Sequence, residues 1–120
     1  MAEKRYLNPE GLPEPPGYSQ VVRAGDTVYI AGQGGQGDPE SQVRQTWRNL
    51  KTAVEAAGGG LEDIVMTTVY LTDVAHAPLV RKVRAELYAA SHPPASTIVE
   101  VSALAGEGMV VEIEAIAVLS

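Results

Sequence analysis

Residues 109–119 read MVVEIEAIAVL. Side chains alternate across a strand, so Val111, Ile113, Ala115 and Ala117 share one face. Val110, Ile116 and Val118 share the other, around Glu112 and Glu114. The segment is a long final strand, apolar on both sides apart from two acids. Residues 64–71, IVMTTVYL, repeat the pattern, with Ile64, Met66 and Tyr70 on one side and Val65, Val69 and Leu71 on the other. A sheet made of such strands must be covered on both faces.

Working outward, two short strands precede the first helix, at 20–23 and 27–31, with Ala24-Gly25-Asp26 as the turn between them. Residues 32–37, GQGGQG, read as a loop. Asp38-Pro39 opens a helix, with Asp38 as N-cap and Pro39 in its first position. Val43, Trp47, Leu50, Val54 and Ala57 form its apolar stripe, and Gly58-Gly59-Gly60 ends it. Asp73 caps a second helix expected over 77–90, with Val80, Val83 and Leu87 inward and His92-Pro93-Pro94 as the stop. A further strand is expected at 96–101. The order is ββαβαββ: an α+β mixed sheet with both helices on one face. Two helices cover one face only, so another subunit is expected on the second, which makes the protein a homo-oligomer.

Residues 1–16 carry Pro9, Pro13, Pro15 and Pro16 and read as an extended arm before a single domain over 17–120. A chain of 120 residues can bury a real core, and 45% hydrophobic with 20% charged residues is ordinary for a globular domain. The absence of cysteine excludes disulfides, thiolate nucleophiles and zinc–thiolate sites. No apolar run approaches the ~20 residues that span a bilayer, and Met1-Ala2-Glu3-Lys4-Arg5 leads into no apolar segment, so a cytoplasmic location is expected. The net charge of −6 argues against a general nucleic-acid binder.

The loop at 32–37 fits G-x-G-x-x-G. The acid that should follow about 20 residues on, Glu55, falls inside the helix, and Asp38 would repel a phosphate, so the loop reads as one flanking a site. Glu112 and Glu114 face the same way in apolar surroundings, where burial raises a carboxyl pKa and creates a candidate general acid or base. Ion pairing at a subunit contact is the competing reading. Arg81, Arg84 and Tyr88 stand at i, i+3 and i+7, a stripe able to hold an anion or simply a solvated basic face with Lys82. His76 and His92 lack the spacing of metal ligands, and no serine sits in a recognisable nucleophile setting.

Several motifs together resemble the Rid family, the YjgF or L-PSP proteins. They are Gly17-Tyr18-Ser19-Gln20, Ala31-Gly32-Gln33, Asn49-Leu50-Lys51 with Ala56-Ala57-Gly58, the run TTVYLTD at 67–73, Pro94-Ala95 with Val99-Glu100-Val101, and VEIEAIAV at 111–118. The resemblance runs from about residue 17 to the end. It implies a chorismate-mutase-like fold and a homotrimer whose sheets pack inside, with small-molecule clefts between subunits. It also implies hydrolysis of imines or enamines to a 2-keto acid and ammonia without metal or cofactor. Carried over by residue, Glu112 would position the attacking water, Tyr18 would close the cleft, and backbone near Gly32 and Ile98 would bind ligand, with Glu114 structural. The sequence departs from the family where an arginine should follow Pro94-Ala95 to pair with the substrate carboxylate: Ser96 stands there. Ile98 stands where many members have cysteine, Ala31 where serine is usual, and Arg81 where many have asparagine. Arg81 is then a candidate to restore the positive charge. The competing readings are a metabolite-binding or regulatory protein without turnover, and an L-PSP-type endoribonuclease or translation inhibitor.

Overall fold

The computed structural model describes residues 3–120; residues 1 and 2, the start of the proline-rich arm, lie outside them. Six strands form one sheet: β1 (Lys4–Leu7), β2 (Val21–Ala24), β3 (Thr27–Gln33), β4 (Ile64–Leu71), β5 (Ala95–Glu100) and β6 (Val111–Val118). Two α-helices, α1 (Pro39–Ala56) and α2 (Ala77–Leu87), complete the fold. The strand order is β1-β2-β3-β6-β4-β5, with β4 and β5 parallel and every other pair antiparallel. The final strand therefore lies inside the sheet, between β3 and β4.

Part of the expected arm is sheet. Lys4 to Leu7 pair with β2, so the order is βββαβαββ. Proline excludes the rest of the arm from the ladder but not this proline-free stretch. The chain then returns to the sheet, where Asn8 Oδ1 accepts from the Gln20 backbone N–H at 2.9 Å.

Helix α1 starts as expected. Asp38 accepts from the Ser41 backbone N–H at 2.9 Å, and Pro39 follows it. Past its C-cap at Ala57, Gly58 adopts φ +100°, a conformation glycine alone takes cheaply. Val43, Trp47, Leu50, Val54 and Ala57 are buried against one sheet face. Helix α2 differs from expectation. Asp73 caps a short 3₁₀ turn, Val74–His76, and α2 ends at Leu87 rather than near residue 90. Val80 and Val83 are buried, but Leu87 is half-exposed.

In β4 the expected faces are corrected by a bulge. The register with β6 passes from Ile64↔Ala117 to Met66↔Ile116, leaving one extra residue on β4. Ile64 consequently joins Thr67, Val69 and Leu71 beneath the helices, while both Val65 and Met66 point outward. In β6 the alternation holds: Val111, Ile113, Ala115 and Ala117 are buried beneath the helices. The other sheet face has no cover among the described residues, and Tyr29, Met66 and Val118 are 42–50% exposed there. A shallow concavity of about 350 Å³, lined by Val22, Tyr29, Met66 and Ile116, occupies this open face.

Candidate functional site

The site grows from a second irregularity. Between β3 and β6 the register jumps from Ile30↔Ala115 to Gln33↔Ile113, so Ala31 and Gly32 together oppose Glu114. The bulge brings the Gly32 backbone against the Glu112 side chain. A Cβ placed on Gly32 would lie 2.0 Å from Glu112 Oε1 and 2.7 Å from its Cδ. Only glycine allows this approach with Glu112 where it is. Gly32 and Gln33 thus close β3 instead of opening the loop.

Glu112 is half-buried. Burial, and secondarily the charge of Glu114, push its pKa above the ordinary carboxyl value. No cation or hydrogen bond among the described residues offsets either cause. Glu114 differs: it is exposed and accepts from the Tyr70 hydroxyl at 2.9 Å, which raises the tyrosine's pKa. The two acids share a face but not an environment.

Glu112 opens into a cleft of about 520 Å³, bordered by Tyr18, Gly32, Gly35, Asn49 and Met109. Among the described residues, Glu112 is the only charged one along it. Loop 34–37 forms one wall and loop 105–110 the other. Gln42, buried in α1, ties them together. Its Nε2 donates to Gly37 O and Gly108 O, both at 2.9 Å, and its Oε1 accepts from Val110 N at 2.8 Å. A second amide pair holds the base: Gln33 Nε2 donates to Gln20 Oε1, and Gln20 Nε2 to Pro13 O, each at 2.8 Å. These residues escaped the reading of the sequence. Gln42 and Thr46 do sit one position before Val43 and Trp47, and polar residues on the flank of a buried stripe were the available signal.

The remaining expected residues lie elsewhere. Ser96 and Ile98 of β5 are in register with Thr67 and Val69, so they face the helix side. Two strand positions separate β5 from β6's other neighbour, and Glu112 projects from the opposite face beside Tyr70. Tyr18, Gly32 and Glu112 are brought together within one chain; Ser96, Ile98 and Arg81 do not join them. Arg81 is exposed on α2. The stripe it was expected to form breaks up. Tyr88 is buried, donates to Leu61 O at 2.9 Å, and meets Trp47 edge-on with ring centroids 5.8 Å apart. Burial, more than nearby Glu62, pushes the Tyr88 pKa up to about 12. Arg84 instead reaches β5, where its Nη1 donates to Ser96 Oγ at 2.8 Å. A guanidinium is thus delivered to Ser96 from α2, by Arg84 rather than Arg81.

The family model described as Endoribonuclease L-PSP matches residues 12–119. The chain belongs to this family. It is 40% identical to a RutC family protein of Pyrococcus horikoshii, over 95% of this chain and 97% of that one. It is 33% identical to a 2-iminobutanoate/2-iminopropanoate deaminase of Dermatophagoides farinae, over 82% and 84% of the two chains. Among solved structures, a Rid family protein from Yersinia pestis superposes with a TM-score of 0.92 at 31% identity, covering 98% of this chain and all of that one. A YjgF/YER057c/UK114 family member from Mycobacterium tuberculosis gives 0.80 at 40% identity, over 86% and 87%. The Rid architecture expected from the motifs is therefore the architecture of this chain. Among the described residues, no helix is long and apolar enough to cross a membrane.

Proposed function

We propose that this Rid-family chain is a cytoplasmic, cofactor-free hydrolase of C=N bonds, working as a homotrimer at clefts between subunits. The observation that carries the reading is Glu112, a lone carboxyl with a raised pKa seated over Gly32 in the cleft. Hydrolysis adds water oxygen to the imine carbon and breaks the C–N bond, leaving a carbonyl and ammonia. Glu112 takes one proton of the water as the C–O bond forms and passes it to the nitrogen. The remaining hydroxyl proton follows by the same carboxylate as the C–N bond breaks, so both protons leave on ammonia and the carbonyl remains. A carboxylate of raised pKa is the stronger base for the first transfer and regains a proton for the second. The relative named as an iminobutanoate/iminopropanoate deaminase supports this chemistry.

The exposed Tyr29, Met66 and Val118 support assembly through the open sheet face. In the proposed trimer the free edge of β5 also meets the next copy, so Ser96 and Ile98, with Arg84 bonded to Ser96, complete the cleft that Tyr18, Gly32 and Glu112 of that copy begin. Arg84 then serves as the anchor for a substrate carboxylate in place of an arginine at position 96.

A second reading, a metabolite-binding protein without turnover, is favoured by one observation: the cleft in a single chain has no cation along it. The endoribonuclease reading draws on the family's name alone, and the net charge of −6 opposes it. The deciding experiment generates imines in situ with L-amino-acid oxidase and traps the survivors with semicarbazide. Accelerated loss of imine, abolished by Glu112→Ala and weakened by Arg84→Ala but not by Arg81→Ala, is expected. No acceleration with any amino acid overturns the hydrolase reading in favour of the binding one.

A further inference from the structure

The helix side of the molecule carries another cavity, across the sheet from Glu112. It holds about 230 Å³ between α1 and α2. Its floor is apolar, formed by Trp47, Leu61, Val83 and Leu87. Its rim is basic, with Arg44, Arg48 and Lys51 at helical spacing along α1.

Three features separate this groove from an ordinary solvated face. First, the rim charges are not equivalent. Arg44 is already held by Glu40 at 3.0 Å and Glu86 at 2.9 Å. Among the described residues, Arg48 and Lys51 have no carboxylate within ion-pair distance, although acids outnumber bases in this chain. Second, the indole Nε1–H of Trp47 is buried and has no acceptor, in a residue only 2% exposed. A buried donor left unpaired costs about 1–3 kcal/mol. Third, Leu87 remains 41% exposed beside these groups and Leu61 is only partly buried, so the outer part of the apolar floor is open to solvent while Trp47 and Val83 lie beneath it. Unspent cations, an unspent donor and uncovered apolar surface occur at one place.

We infer that this groove binds a small monocarboxylate with an apolar, ring-sized body. The body covers Leu87 and Leu61, above the buried Trp47 and Val83, and the carboxylate meets Arg48 and Lys51. The volume sets the size, since it lies below the roughly 300–1,000 Å³ that takes a drug-sized ligand. The charges set the valence. Two free cations suit one carboxylate, while Glu40 and Glu86 at the Arg44 end disfavour a second negative group. The groove faces away from the open sheet face, so assembly through that face leaves it accessible. This inference is independent of the chemistry at Glu112.

Trp47 is the chain's single tryptophan, so the groove contains its own reporter. The test titrates the full-length protein with phenylacetate at constant ionic strength while following tryptophan emission. The neutral 2-phenylethanol and the cationic 2-phenylethylamine serve as matched probes. The expected result is a saturable change with phenylacetate only, weakened about tenfold or more in an Arg48→Gln/Lys51→Gln double variant. Glu112→Gln, on the other face, should leave the titration unchanged. A change that fails to saturate, that 2-phenylethanol reproduces, or that survives the double variant overturns the inference. Loss of the signal in Glu112→Gln overturns it too, because the acid is then bound in the cleft.

Discussion

Replacing Gly32 by alanine tests the central contact of the cleft with a single methyl group. The added Cβ would lie 2.0 Å from Glu112 Oε1. Ordinary contacts lie near 3.5 Å, so the carboxylate must retreat by roughly 1.5 Å. Gly32 does not have a positive φ, so alanine strains no backbone there. The atoms that must move are the end of a flexible side chain, and moving them costs little. Alanine also restricts the unfolded chain, a gain of about 0.4–1 kcal/mol that offsets part of that cost. The melting temperature of Gly32→Ala should therefore stay within a few degrees of the parent. Activity should not survive so well. A displacement of about 1 Å in a catalytic group costs on the order of 10²-fold in rate, about 2.7 kcal/mol of barrier. The assay is kcat/KM for imine hydrolysis, measured on Gly32→Ala, Glu112→Ala and the double variant. If Gly32 acts only by giving Glu112 its place, the double variant is no worse than Glu112→Ala. Losses that multiply, or a Gly32→Ala protein of full activity, would refute the role assigned to this contact.

Other expectations concern stability and assembly. Gln42→Leu strands Gly37 O, Gly108 O and Val110 N, and should cost about 2 kcal/mol by urea unfolding while loosening both walls of the cleft. Glu112 carries a folded-state pKa raised chiefly by burial, so its ionisation opposes folding. Stability is complete below its ordinary unfolded pKa and is lost as pH rises through the raised folded value; Glu112→Gln should melt higher than the parent at pH 8 and alike at pH 4. Neutralising Glu114 removes the smaller cause, so Glu114→Gln should move the acidic limb of the rate profile to lower pH. Met66→Glu places a charge on an exposed position of the open face, opposite Ile116; sedimentation should show smaller species with little change in circular dichroism.

Much of this architecture is legible in the sequence. The stripe Val43, Trp47, Leu50, Val54, Ala57 is periodic and locally capped, so its helix needs no distant partner to be recognised. Glu112 and Glu114 stood out together because carboxylates in an apolar strand are conspicuous whatever surrounds them, and the family resemblance singled out Glu112. Most strand segments were recognisable from their alternation, and the doubly apolar last strand implied cover on both faces of the sheet.

What escaped the sequence depends on pairing between segments far apart in the chain. The bulges at Val65 and at Ala31-Gly32 arise from a mismatch between two strands, and neither strand carries that mismatch alone. One of them decides which side chains face outward in β4, and the other brings Gly32 against Glu112. The separation of Arg84 from the Arg81–Tyr88 stripe has the same origin, since it took β5 to offer Ser96 and α1 to offer Trp47. Gln42 is an unremarkable polar residue until two loops arrive at its amide. The sequence by itself determined most of the elements and the N-cap of α1, and set Glu112 and Glu114 on one strand face, because these follow from local periodicity and chemistry. The tertiary structure alone decided register, and with it which residues share a cleft, because a single extra residue in a ladder re-aims everything beyond it.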